Sequence, residues 1–264
     1  MKPRHPSTIL LFVSSVVLLL ILPACQTAPV SKPVSVKTAP PHPNTALIPV
    51  PQRAEDGLPP NAVSGFISRH QRYTALAQQG GIDLLFLGDS ITQGWDGPGR
   101  PVWSQYYGNL KAACFGVGYD RTQHVLWRLQ NGEGVGFSPK AIVLMIGTNN
   151  IGLNPPAEIA AGIGAIVAEL RTRFADVKIL LLGIFPRDFK DSRKRRLVTE
   201  TNRLIAPLND NRHVFYLDLA DKFIDADGNI PPALVGNNPP LHPTAVGYAV
   251  WAEAIRAPLA QMLQ

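Results

Sequence analysis

The sequence predicts an α/β fold in which five parallel strands lie between layers of helices. Two observations carry this expectation. Apolar runs recur at 84–88, 112–115, 141–147, 178–184 and 214–219, each of strand length, with helical spacing between them. Alternation of strand and helix in turn implies parallel strands joined by right-handed crossovers. No internal repeat is visible.

The chain begins with a segment outside that pattern. Lys2, Arg4 and His5 precede an apolar run from Ile9 to Leu22, and Pro23-Ala24-Cys25 follow. A basic start, a short apolar stretch and a small residue before the cut describe an export signal. The run is shorter than the roughly 20 residues of a membrane span. Leu22-Pro23-Ala24-Cys25 also resembles a bacterial lipobox, which makes residues 1–25 a signal peptide and Cys25 the lipidation site. The chain is then expected in the bacterial cell envelope, anchored to a membrane through its N-terminal lipid. A plain periplasmic or secreted protein and an uncleaved anchor are the alternatives. Residues 26–60 are rich in Pro, Ser, Thr and Ala and are expected to form a disordered tether, because they bury too little to offset their ordering entropy. That leaves residues 61–264 as one domain with a sizeable core.

Charge and cysteine content exclude several classes. The net charge is +6, but half of the surplus lies in the first 60 residues, and the remainder is too small to argue for nucleic acid. The run Arg193-Lys194-Arg195-Arg196 reads as a solvated helix face. With Cys25 lipidated, Cys114 stands alone, so neither a disulfide framework nor a thiolate metal site is expected. Asp225-Ala226-Asp227-Gly228-Asn229 has its glycine too early for a calcium loop and reads as a turn.

Within the domain, Leu84-Leu85-Phe86-Leu87 shows no polar alternation, as expected of a strand buried on both faces. Gly88 lets the backbone turn sharply, and Asp89, Ser90, Ile91 and Thr92 lead into a helix. A serine on such a turn can expose its hydroxyl for chemistry, although Gly-Asp-Ser alone is most often only a turn. Asp89 reads as a structural residue that ties down the turn through backbone hydrogen bonds. Trp95, Trp103, Tyr106 and Tyr107 follow, either as core or as a surface on which a sugar can stack. The clearest helix starts after Asn154, read as its N-cap with Pro155 in the first helical position. Its residues Ile159, Ile163, Ile166, Leu170 and Phe174 make one apolar stripe. Thr244 caps a last helix carrying Val246, Val250, Trp251 and Ile255, which Pro258 is expected to bend or end.

Four blocks then carry a resemblance: GDSITQGW from Gly88, FGVGYDRTQHVLWRLQNGE from Phe115, VLMIGTNN from Val143 and LHPTAVGYAVWAEAI from Leu241. Their order and content resemble the SGNH (GDSL) hydrolases, a family of serine esterases and lipases, within it the subgroup of platelet-activating-factor acetylhydrolase catalytic subunits. The resemblance covers nearly everything after about residue 65. It implies a flavodoxin-like three-layer α/β/α fold with strand order 2-1-3-4-5. It also implies hydrolysis of a carboxylic ester through an acyl-serine, without metal or cofactor. Short acyl groups, such as acetyl on a carbohydrate or lipid, are the implied substrates. By the same resemblance Ser90 is the nucleophile and His242 its base. The oxyanion donors are the Ser90 N–H, a backbone N–H at Gly118 or Tyr119, and the Asn149 side chain. His70, His124 and His213 have only structural readings. Ser90, Gly118, Tyr119 and Asn149 all follow strand ends, where open α/β sheets bind ligands.

Two departures from the family pattern stand out. The family has a glycine where this chain has Tyr119, a strained position for tyrosine if φ is positive. The family also places an aspartate three residues before the histidine, where this chain has Pro239. Three readings follow. A Ser90–His242 dyad can have its ring oriented by a backbone carbonyl or by the amide oxygen of Asn237 or Asn238. Asp218, at the end of the fifth strand, can substitute as a distant acid. Or the domain is a weakly active or non-catalytic carbohydrate-binding relative. An O-acyltransferase using the same serine is a further alternative.

Overall fold

In the computed structural model, which describes residues 42–264, the unbroken apolar run becomes the central strand. β1 (Leu84–Gly88) is buried along its whole length. It pairs in parallel with β2 (Ala112–Gly116) on one side and β3 (Ala141–Met145) on the other. β4 (Lys178–Leu182) and β5 (Val214–Leu217) extend the sheet beyond β3. The order is β2-β1-β3-β4-β5, as the family resemblance implies.

Helices cover both faces because side chains alternate along each strand. Leu85, Leu87, Ile142, Leu144, Ile179 and Leu181 face a layer made by α1 (Pro60–Gln79) together with three helices from further along the chain. On the other face Leu84, Phe86, Val143, Leu180 and Leu182 meet the short α2 (Ser90–Gln93) and α3 (Arg100–Tyr106). The further helices of the first layer are α4 (Thr122–Arg128), α5 (Pro156–Arg173) and α6 (Arg193–Ile205). The second layer is completed by α7 (Ala220–Phe223) and α8 (Ala245–Met262). The α5 stripe of Ile159, Ile163, Ile166, Leu170 and Phe174 is buried as expected. Removing one such side chain is expected to cost about 2–5 kcal/mol.

Several details differ from the sequence reading. Residues 42–60, expected as part of a disordered tether, belong to the folded unit: His42 to Gln264 form one unit, with Ala46 and Gln52 buried. A 3-10 turn at Thr45–Leu47 is capped by Asn44 and lies against α5. A few specific contacts hold this Pro-rich stretch, and composition does not reveal them. The signal peptide, Cys25 and residues 26–41 lie outside the described residues. Asn154 is not the cap of α5, whose N-cap is Pro155. Its amide instead donates to Thr45 Oγ1 at 2.9 Å and Glu158 Oε2 at 3.0 Å. Pro258 does not end α8, which runs on to Met262, because Trp251, Ile255, Leu259 and Met262 are buried and outweigh one lost hydrogen bond. Trp95 and Tyr107 are core, packed with Phe86, Trp103 and Trp251, so they offer no sugar platform. Asp225 caps its own turn, accepting from the N–H groups of Asp227 and Asn229.

Candidate active site

The turn that carries Ser90 is built by close packing at the end of β1. A Cβ on Gly88 would sit 2.2 Å from both Met145 O and Thr92 Oγ1, so only glycine lets the helix start there. Asp89 caps α2, its Oδ1 accepting from Ile91 N–H at 3.0 Å. Burial pushes the Asp89 carboxyl up to about 7, partly offset by that hydrogen bond. Ser90 is therefore the first residue of α2, half-buried at the carboxyl edge of the sheet. Its Oγ lies 2.9 Å from His242 Nε2.

His242 reaches Ser90 from a closed loop. An antiparallel bridge between Val235 and Pro243 pins the two ends, and Gly236 N–H donates to His242 O at 3.3 Å. Inside the loop Asn237 Oδ1 accepts from the N–H groups of Leu241 at 3.2 Å and His242 at 2.8 Å. The other end of that amide, Nδ2, lies 3.0 Å from His242 Nδ1. The imidazole pKa is lowered by burial and by the positive charge of Arg187, which favours the neutral ring. Arg187, on the loop after β4, is fixed by donating to Thr148 O at 2.8 Å and Thr148 Oγ1 at 3.2 Å. The carbonyls of Arg187 and Asp188 accept in turn from Arg195, so part of the basic run on α6 braces this loop instead of only facing solvent.

The third group of candidates lies after β2 and β3. Tyr119 has φ 63°, the left-handed conformation that favours glycine. Gly118 N–H donates to Gln93 Oε1 at 2.7 Å, whereas Tyr119 N–H has no protein acceptor among the described residues. Of the two, Tyr119 is therefore the one with its backbone donor open. Asn149 gives one amide N–H to Asp120 O at 2.9 Å, which leaves its second.

A buried polar network backs this loop. Asp120 accepts from Arg128 Nη2 at 2.8 Å and from Gln52 Nε2 at 2.8 Å, and Arg128 also pairs with Glu133. His70 Nδ1 closes the chain 2.8 Å from Glu133. Gln52 additionally donates to Gly118 O at 2.7 Å. Burial raises the Asp120 carboxyl to about 7 despite its arginine partner.

Two candidates are not brought to the site. Asp218 does not substitute for the missing acid: it accepts from Ala220 N–H, Tyr216 Oη and Asn202 Nδ2. Those partners line a separate cavity under α6. Asn238 makes no side-chain hydrogen bond among the described residues, and of the two asparagines only Asn237 touches the ring. It does so with its nitrogen, not with the amide oxygen expected. Sequence reasoning missed Gln93, Gln52 and Arg187. Gln93 is the most discoverable, since it lies three residues after Ser90 and therefore on the same helical face.

The site opens into a cavity of about 410 Å³ that includes Ser90, His242, Arg69, Gln93, Gly97 and Tyr248. A second hollow of about 230 Å³ adjoins it at Arg69 and Gln93 and reaches Gly118 and Tyr119.

Comparison with known proteins agrees with this geometry. Residues 86–250 match the model of the GDSL-like lipase/acylhydrolase family. Over 219 residues the chain is 35% identical to platelet-activating factor acetylhydrolase IB subunit alpha2 of Homo sapiens, covering 81% of this chain and 91% of that protein. Among solved structures, a chain from Streptococcus pneumonia has a similar fold (TM-score 0.64, 20% identity, 78% of this chain and 98% of that one). So does an acetyl-xylooligosaccharide esterase mutant from Geobacillus Stearmophilus (TM-score 0.54, 18% identity, 70% and 94%).

Proposed function

The chain belongs to the GDSL-like lipase/acylhydrolase family, and from that premise we propose that it hydrolyses short-chain carboxylic esters through an acyl intermediate on Ser90. The observation that carries the reading is the 2.9 Å contact between Ser90 Oγ and His242 Nε2. A serine hydroxyl is a weak nucleophile until a base takes its proton, and this imidazole is the base within reach of it. Its lowered pKa suits the task, because only the neutral ring can accept.

In the proposed reaction Ser90 Oγ bonds to the ester carbonyl carbon while its proton passes to His242. The carbonyl oxygen gains charge and is met by the N–H groups of Ser90 and Tyr119 and by the Asn149 amide; one such donor is worth about 10²–10³ in rate. His242 then protonates the leaving alkoxide, and the acyl group stays on Ser90. Water repeats the sequence and releases the acid. No step needs a metal or cofactor. The named relatives, which include an acetylhydrolase and an acetyl-oligosaccharide esterase, support short acyl groups such as acetyl. Arg69 and Asp96 line the same cavity as Ser90, which suits a polar leaving group such as a carbohydrate or a lipid headgroup.

The test is turnover of p-nitrophenyl acetate, butyrate and octanoate by the wild type and by Ser90→Ala. The proposal requires Ser90-dependent hydrolysis that falls as the acyl chain lengthens; equal rates for the two proteins would refute it. Loss of acyl groups to an added sugar acceptor would identify an acyltransferase instead. We further propose export and lipidation at Cys25, in which case Cys25→Ser releases the protein from membranes; unchanged retention would refute the anchor.

A further inference from the structure

The amide of Asn237 stands where a triad carboxylate would act, but it presents the wrong end. Its Oδ1 already accepts two backbone N–H groups, from Leu241 and His242. These two donors dictate the orientation of the amide: turning it over would set an NH₂ against both of them and leave two backbone N–H groups without their protein acceptor. The end facing the ring is therefore Nδ2, a donor, 3.0 Å from His242 Nδ1. A donor there requires a lone pair on Nδ1. A neutral imidazole carries one N–H, so its proton must then be on Nε2, the nitrogen 2.9 Å from Ser90 Oγ.

We propose that Asn237 is a positioning residue that holds His242 in the tautomer protonated at Nε2, so that the resting Ser90–His242 pair is set against proton transfer. In this arrangement Nε2–H donates to Ser90 Oγ and cannot receive its proton. Reaching the competent form means that one proton leaves Nε2, one is taken up at Nδ1, and the Asn237 amide turns or withdraws. Water supplies and receives these protons, since Asn237 is exposed. The same amide dipole opposes the imidazolium that forms during acyl transfer. Aspartate at this position would reverse both effects without rebuilding the loop: one oxygen keeps the two backbone N–H groups and the other accepts Nδ1–H. The charged groups near the ring and its amide partner are Arg187 from the loop after β4, Arg69 and Asp96 across the cavity, and Asp188 and Lys190 lining the hollow on the Asn237 side. None of them is a hydrogen-bond partner of Nδ1. The kinetic consequence rests on the hydrolase reading; the tautomer does not.

The test is ¹⁵N NMR of the full chain labelled at histidine, with His242 assigned from the spectrum of His242→Gln. Above the ring's titration the wild type should show a protonated Nε2 and a bare Nδ1, and Asn237→Asp should show the reverse. The same variant should raise kcat by about 10² or more, because replacing the triad aspartate by asparagine in a serine protease costs about 10⁴ through the same wrong tautomer. It should also move the lower inflection of kcat/KM to higher pH, since a carboxylate stabilises the imidazolium. Asn237→Ala removes the misplaced donor without supplying an acid and should show neither the inflection shift nor the full gain. A protonated Nδ1 in the wild type overturns the proposal whatever the activity. So does a folded Asn237→Asp with kcat within twofold of wild type. If the ring nitrogens behave as proposed but neither protein turns over ester nor takes a phosphonate on Ser90, the tautomer inference holds and the hydrolase reading falls.

Discussion

Ser90 Oγ and His242 Nε2 stand 2.9 Å apart although 152 residues separate them in sequence. The sheet edge presents one and a loop closed by the Val235–Pro243 bridge presents the other. Residues that act as a unit fail as a unit. Ser90→Ala, His242→Gln and the double variant should therefore have the same residual rate within a few-fold, measured with p-nitrophenyl acetate. A double variant clearly slower than both singles would mean that they act independently.

The pH profile follows from the environment of His242. Its pKa is lowered by burial first and Arg187 second, and activity needs the neutral ring. Thus kcat/KM should rise with pH through an inflection below the ordinary histidine value of about 6.5. Arg187→Gln removes the second cause and should move the inflection upward. An unchanged profile would show that burial alone sets it.

Tyr119 at φ 63° makes glycine the better residue on backbone grounds, a left-handed L-residue costing about 1–2 kcal/mol. Tyr119→Gly should match or exceed wild-type stability in urea. Its activity should persist, because the donor is a backbone group. A loss of about 1 kcal/mol or more would mean that the exposed ring contributes packing.

Gln52 ties the segment before α1 to the loop of Gly118 and Tyr119 through Gly118 O and Asp120. Gln52→Ala leaves a buried carbonyl and carboxylate short of a donor, which should cost about 1–3 kcal/mol and lower kcat more than KM rises. A chain beginning at 61 should show the same defect, and one beginning at 42 should not. Equal stability of the two truncations would contradict this role.

The strands were legible because an unbroken apolar run does not depend on its neighbours: Leu84 to Leu87 are buried whichever helices arrive. Ser90 and His242 were singled out by their flanking residues, and the structure places the serine and the histidine side by side. What sequence could not convey was direction. That Asn237 lies near His242 follows from their spacing, but which end of the amide faces the ring depends on two backbone N–H groups oriented by the loop. Gln52 was hidden because one buried glutamine in a Pro-rich stretch leaves no periodic signal. Asp218 looked plausible at a strand end, yet its partners Tyr216 and Asn202 turn it toward α6.

The account stands most directly on covalent chemistry at one oxygen. Intact-mass spectrometry after treatment with a fluorophosphonate should show a single adduct on the wild type, mapped to Ser90, and none on Ser90→Ala or His242→Gln. A folded wild type that takes no adduct, or takes it at another residue, would contradict the claim that Ser90 is an activated nucleophile.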